Sequence, residues 1–146
     1  MTREYPDRPW IGIGMIVFRG DDVLLVQRGK APRLGSWSLP GGAQDLGEGA
    51  QEAGRRELLE ETGITVGPLL LADVIDAITR DEDGTVRYHY TIVDFCGEWA
   101  SGTAIAGDDV SSVAWAAPHE LANYALTREA LAVIALAHKR LAEAAV

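Results

Sequence analysis

"LPGGAQDLGEGAQEAGRRELLEETGI", Leu39 to Ile64, opens on paired glycines and closes on a crowd of glutamates. The part from about Ala50 to Thr62 reads as a helix, and Gly63 is a natural stop signal. Residues three and four apart on a helix share a face, so Glu57, Glu60 and Glu61 form one acidic patch. Like charges at this spacing destabilise a helix by a few tenths of a kcal/mol per pair. Arg56 can pair with Glu52 or Glu60, but one arginine leaves most of the charge uncompensated. A divalent cation would offset it, because Mg²⁺ prefers carboxylate oxygens and keeps several waters. The competing reading is a solvated acidic helix face, since glutamate is a common surface helix former.

Working outward from the helix, "IGIGMIVF" is an apolar run of strand length. "RGDD" supplies turn residues and "VLLVQR" a second strand, so residues 11 to 28 read as a hairpin. "GKAPRLGSWSLPGG" reads as a loop. Residues 64 to 79 carry strand-type residues, and Asp83-Gly84 marks a corner. "VRYHYTIVDF" returns as a strand. Val86, Tyr88, Tyr90, Ile92 and Asp94 take one face, and Arg87, His89, Thr91, Val93 and Phe95 the other. "SSVAWAA" is a further strand, and "PHELANY" a helical turn begun by Pro118. The last helix has Thr127 as N-cap and buries Leu131, Ile134 and neighbouring alanines. Interleaved strands and helices with several hairpins predict a mixed α/β layer structure.

The 146 residues suit one domain, 1–146, and 47% hydrophobic residues suffice for its core. No apolar run has the length of a membrane span, and "MTREYPDRPW" lacks the apolar centre of a signal peptide. The lone Cys96 excludes an internal disulfide framework or a multi-cysteine metal site, and reads as a buried spectator thiol in a cytoplasmic protein. A formal charge of −9 repels nucleic acid backbones. It would repel a phosphorylated small molecule as well, unless cations sit in the site.

The segment resembles the Nudix box: a glycine, five residues, a glutamate, seven residues, then Arg-Glu-apolar-any-Glu-Glu-any-Gly-apolar. These positions are Gly42, Glu48, Arg56, Glu57, Leu58, Glu60, Glu61, Gly63 and Ile64, and every fixed one matches. The lead-in "GSWSLPGG" is similar as well. The resemblance implies an α/β/α sandwich around a mixed β-sheet, and hydrolysis of a diphosphate linkage in a nucleoside diphosphate joined to a group X. It implies Mg²⁺, or Mn²⁺, held by Glu57, Glu60, Glu61 and the carbonyl near Gly41. Arg56 would hold the glutamates in place, and Glu48 would anchor the helix or stand at the outer edge of the metal site. Gly42 would let the loop turn against the helix. Glu60 or Glu61 would be the base that takes a proton from water, with a later acid, Asp108 or Asp109, as the alternative. The bland role for those two is that of turn acids.

Substrate preference is expected from residues outside the box. Trp37 and Trp115, with Trp10, Phe18, Tyr88 and Tyr90, are candidates for stacking on a base, with packing the competing role for each. Arg28, Lys30 and Arg33 are candidates for phosphates, with solvent exposure the competing state. The chain also resembles small bacterial members of the ADP-ribose pyrophosphatase-like group, which points to ADP-ribose or a related dinucleotide. The alternatives are a nucleoside triphosphate pyrophosphohydrolase that sanitises the nucleotide pool, and a nucleotide-sensing module without turnover. A sensor is expected to carry an output domain, for which the sequence shows no segment. Many members of the family dimerise, so a homodimer is among the expected states.

Overall fold

The computed structural model describes residues 3–31 and 33–145. Strand β1 (Trp10–Arg19) turns through Gly20, in the left-handed region at φ 62°, into β2 (Asp22–Arg28). The pair is antiparallel, as the hairpin reading requires, with Phe18 opposite Val23. Two short strands follow, β3 (Trp37–Ser38) and β4 (Gly41–Ala43), then helix α1 (Ala50–Thr62), β5 (Thr65–Val66), β6 (Leu70–Arg80), β7 (Val86–Ser101) and β8 (Val110–Ala116). A 3₁₀ segment (Pro118–Tyr124) leads into α2 (Arg128–Ala144).

The eight strands form a mixed sheet. β1 and β7 run parallel from Trp10–Tyr90 to Phe18–Glu98, and the other pairings are antiparallel. β4 and β2 share the opposite edge of β1, with β4 beside Gly12–Gly14. β8 lies along β2, and β6 along β7.

Alternate residues of a strand point to opposite faces. Ile13, Met15, Val17, Leu24 and Phe95 pack with Ala53 and Leu58 of α1. Ile16, Phe18, Val23, Leu25, Cys96 and Ala116 pack with Val133, Ile134 and Ala137 of α2. A sheet covered on both sides explains why "IGIGMIVF" is apolar throughout instead of alternating. Leu58 and Ile16 are fully buried, each contributing about 1.5–3 kcal/mol. Gly54 lets α1 lie close to β1, because a Cβ there would come within 2.5 Å of Met15 Sδ. The layers are thus α/β/α, as expected.

Helix α1 has the expected limits. Gly63 caps it at φ 72°, and its N–H donates to the Leu59 carbonyl. Thr127 caps α2, its hydroxyl accepting from Ala130 N at 3.1 Å. Leu131 differs from its reading: it is 40% exposed, at the rim of a groove shared with Phe18, Ile134 and His138, while Ile134 and the alanine Ala137 are buried as expected and Val133 joins them. No helix among the described residues is long and apolar enough to cross a membrane.

Candidate active site

The acidic patch is organised by one guanidinium. Arg56 Nε donates to Glu48 Oε2 at 2.7 Å, and Nη2 to Glu48 Oε1 at 3.1 Å, a two-pronged, charge-assisted pair. Nη1 donates to Glu57 Oε1 at 2.9 Å and to Glu60 Oε2 at 3.3 Å. Nη2 also reaches the Ala43 carbonyl at 3.2 Å and Asp45 Oδ2 at 3.3 Å. The helix is thereby tied to the loop before it. Arg56 holds the Glu48 carboxyl below the usual range, and the carboxylates in turn raise the Arg56 pKa.

Gly42 answers to the same geometry. A Cβ there would fall 2.6 Å from Glu57 Oε1, so only glycine leaves room for that carboxylate. Gly41 donates its N–H to Glu61 Oε1 at 2.9 Å. Glu61 and Glu57 thus both lie against β4, at Gly41 and Gly42, and Glu57 and Glu60 also approach the loop before β8.

That loop docks on the C-terminal end of α1, where backbone carbonyls lack partners within the helix. Ile105 N donates to Thr62 O at 2.9 Å and Gly107 N to Glu61 O at 3.0 Å. The next residue, Asp108, adopts φ 52°, which aspartate tolerates better than most residues. One carboxylate oxygen each from Glu57, Glu60 and Asp108 then lies within 4.8 Å of the others. Asp109 turns away and pairs with Lys30 Nζ at 2.7 Å.

The crowding shows in the proton affinities. Burial, with Glu60 and Asp108 nearby, outweighs Arg56 and raises the Glu57 pKa. Burial pushes Glu61 up to about 7; the Gly41 hydrogen bond opposes this, and Glu57, Asp108 and Asp109 add to it. Three convergent carboxylates within 4.8 Å of one another suit a hard divalent cation such as Mg²⁺ or Mn²⁺. The donor set is all oxygen, which does not suit a thiolate-preferring metal.

The candidate substrate residues are scattered. Trp37 stacks edge-on with Tyr124, centroids 5.0 Å apart, on the α2 face. Trp115 lies on the α1 face, with the Arg19 guanidinium 4.6 Å over its ring. The two tryptophans therefore do not face one base. Arg28 ends β2, its backbone bonded to Ser36 and Gly35 across the loop. The sequence reading did not single out Asp45, whose place at Arg56 depends on the loop fold, nor the isolation of Asp94. The only sequence signal for Asp94 is an acid inside the apolar run "TIVDF".

A mixed sheet between two helix layers, with a glutamate-bearing helix cross-tied to a glycine loop, defines the class. The NUDIX domain model matches residues 8–136, and the chain belongs to that family. It is 35% identical over 101 residues to an ADP-ribose pyrophosphatase of Methanocaldococcus jannaschii, covering 69% of this chain and 57% of that protein. It is 32% identical over 108 residues to a putative 8-oxo-dGTP diphosphatase of Bacillus subtilis, covering 73% and 65% respectively. The chain thus spans less than two thirds of either relative. A MutT Nudix hydrolase from Burkholderia pseudomallei superposes with a TM-score of 0.76 at 27% identity, over 89% of this chain and 98% of that one. The Nudix domain of Shewanella oneidensis NrtR, in complex with ADP ribose, superposes with a TM-score of 0.75 at 25% identity, over 92% and 90%.

Proposed function

We propose that this chain is a divalent-metal-dependent pyrophosphohydrolase acting on a nucleoside diphosphate joined to a group X. The observation that carries this reading is the convergence of Glu57, Glu60 and Asp108 within 4.8 Å, braced from behind by Arg56. In this reading Glu57, Glu60 and Asp108 hold the ion, and the carbonyl of Gly41 lies on the side where Glu61 is anchored. Bound there, Mg²⁺ or Mn²⁺ supplies neutralisation of the diphosphate and acidification of a water. The residues do the rest. Arg56 fixes the orientation of Glu57 and Glu60, so that no reorganisation is needed as charge builds. Glu48 keeps Arg56 in place. Glu61, held by Gly41 N–H, takes the proton from the attacking water, with Glu60 as the second candidate. Lys30 and Arg33, on the loop after β2, are the nearest candidates in the sequence to meet phosphates.

The name of the M. jannaschii relative and the ligand of the NrtR domain make ADP-ribose the first compound to test. The name of the B. subtilis relative supports a second reading, pyrophosphate release from an oxidised triphosphate. A panel in Mg²⁺ decides between them: ADP-ribose, NADH, dinucleoside polyphosphates, and ordinary and oxidised nucleoside triphosphates. Glu60→Gln is the control. A nucleoside monophosphate plus ribose phosphate, or pyrophosphate, identifies the bond cut. Binding without turnover of any compound in Mg²⁺ or Mn²⁺ sinks the enzymatic reading and leaves a sensing module. Sedimentation of the purified chain tests the homodimer expected from family resemblance.

A further inference from the structure

The α2 face of the sheet is sealed at one end and open at the other. Ile16, Phe18 and Cys96 are buried under α2. On the same face, nearer the start of β1, Trp10, Gly12, Gly14, Tyr90 and Ile92 are only half-buried. Gly12 leaves the backbone of β1 bare there, bordered by Tyr90 and Ile92, with ring and side-chain atoms 3.5–3.7 Å from where a Gly12 Cβ would stand. Gly14 pairs with Gly41, the residue that anchors Glu61. The open half-face therefore ends at the strand edge where Gly41 anchors Glu61, whose helix α1 covers the opposite face.

Asp94 stands at the boundary between the two halves. It is 4% exposed, and its carboxylate lies over Gly14, in the space a Cβ would fill. Among the described residues none donates a hydrogen bond to it, and its nearest charged neighbour is another acid, Asp73, across the β6–β7 pairing. No side-chain oxygen among the described residues lacks both a partner and solvent. The oxygens of Asp94 thus keep the remaining access themselves. An acceptor-only group held this way, without a donor, is costly unless a ligand provides one.

Building on the hydrolase reading, we propose that Asp94 determines base specificity, accepting two hydrogen bonds from a base edge that presents adjacent N–H groups, as the N1–H and 2-amino group of guanine do. A carboxylate matches that edge with two parallel bonds, both charge-assisted. Adenine offers an acceptor nitrogen beside its amino group, and that nitrogen would face the carboxylate lone pairs. Tyr90 and Ile92 border the base, Gly12 lets its ring approach the strand, and Gly14 leaves room for the Asp94 carboxylate. Burial of Asp94 pushes its carboxyl up to about 6, so it is ionised at the pH of a standard assay.

The test pairs binding with turnover. Metal-free titration calorimetry of GMP and AMP at pH 7.5 reads the base alone. Turnover of GTP against ATP, and of GDP-linked against ADP-linked sugars, reads it in the reaction. Wild type is expected to prefer guanine by about tenfold to a hundredfold. Asp94→Asn is expected to erase that preference and to gain affinity for AMP, because an amide offers both a donor and an acceptor to adenine. Asp94→Ala should erase the preference without that gain, and melting temperatures confirm that both variants fold. An Asp94→Asn protein that keeps the wild-type preference, or a wild type indifferent to the base, overturns the proposal. If no diphosphate is cleaved yet the GMP–AMP difference depends on Asp94, the hydrolase reading falls and the base assignment stands.

Discussion

Arg56 holds Glu48 and Glu57 with one guanidinium, at 2.7 Å through Nε and 2.9 Å through Nη1. One partner comes from the loop before α1 and the other from the helix, so the pair fixes the orientation of a candidate metal ligand relative to Gly41–Ala43. Lysine would keep the charge but not the fork. Arg56→Lys is therefore expected to lower both Mg²⁺ affinity and kcat/KM by about tenfold to a hundredfold. Calorimetric metal titration and steady-state kinetics check this. Unchanged values in both would remove Arg56 from the positioning role.

Gly42→Ala places a methyl group against the Glu57 carboxylate. The carboxylate must swing away, breaking its bond to Arg56. Overpacking of this kind costs about 1–3 kcal/mol, but the larger effect is expected on activity. We expect a fall in kcat/KM of at least about tenfold in a protein whose circular dichroism is unchanged. A fully active Gly42→Ala variant would mean that Glu57 does not need its present position.

Mg²⁺ should stabilise the protein by relieving repulsion among Glu57, Glu60 and Asp108. At a concentration about a hundred times the Kd the gain is about 2.7 kcal/mol, lost on adding a chelator. Asp108→Asn should shrink that gain, whereas Asp109→Asn, which breaks the exposed pair with Lys30 and removes only a minor charge near Glu61, should leave it nearly intact. Thermal unfolding across a Mg²⁺ series separates the two aspartates.

Asp94 should make stability depend on pH. Its carboxyl is pushed up to about 6 by burial, with Asp73 adding to the effect. The native state then holds the proton where the unfolded chain, near 3.8, has lost it. Stability from this group is present below about pH 4 and falls as pH rises to about 6, after which the penalty is constant. Asp94→Asn removes the penalty. It should be more stable than wild type by about 1–3 kcal/mol at pH 7.5, with the difference gone at pH 4. Denaturant unfolding at the two pH values measures it, and equal differences at both would refute the burial argument.

The features readable from the chain alone are those that local geometry dictates. Helix α1 has its expected ends because a left-handed glycine cap and an uninterrupted run act within a few residues. Glu57 and Glu60 share a face by helical spacing alone. The β1–β2 hairpin and the Thr127 cap are local in the same sense. Strands β3 and β4 read as loop because they are two and three residues long and exist only through pairing with β2 and β1.

Tertiary structure decided the rest. Asp108 joins the glutamates because its loop satisfies the open carbonyls at the end of α1, a long-range bond that no spacing encodes. Glu61 is held where it is because Gly41 N–H, brought alongside by the β1–β4 pairing, donates to its carboxylate. Trp37 and Trp115 belong to opposite faces because the register sets Trp37 opposite Gln27 and Trp115 opposite Leu24, an odd number of residues apart on β2, so they meet different helix layers. The sequence by itself determined the acidic helix by short-range pattern and the family by its resemblance to the Nudix box, and that resemblance in turn implied the α/β/α layers. Which acids converge, and which one is left buried without a donor, depended on how distant backbone groups find their hydrogen-bond partners.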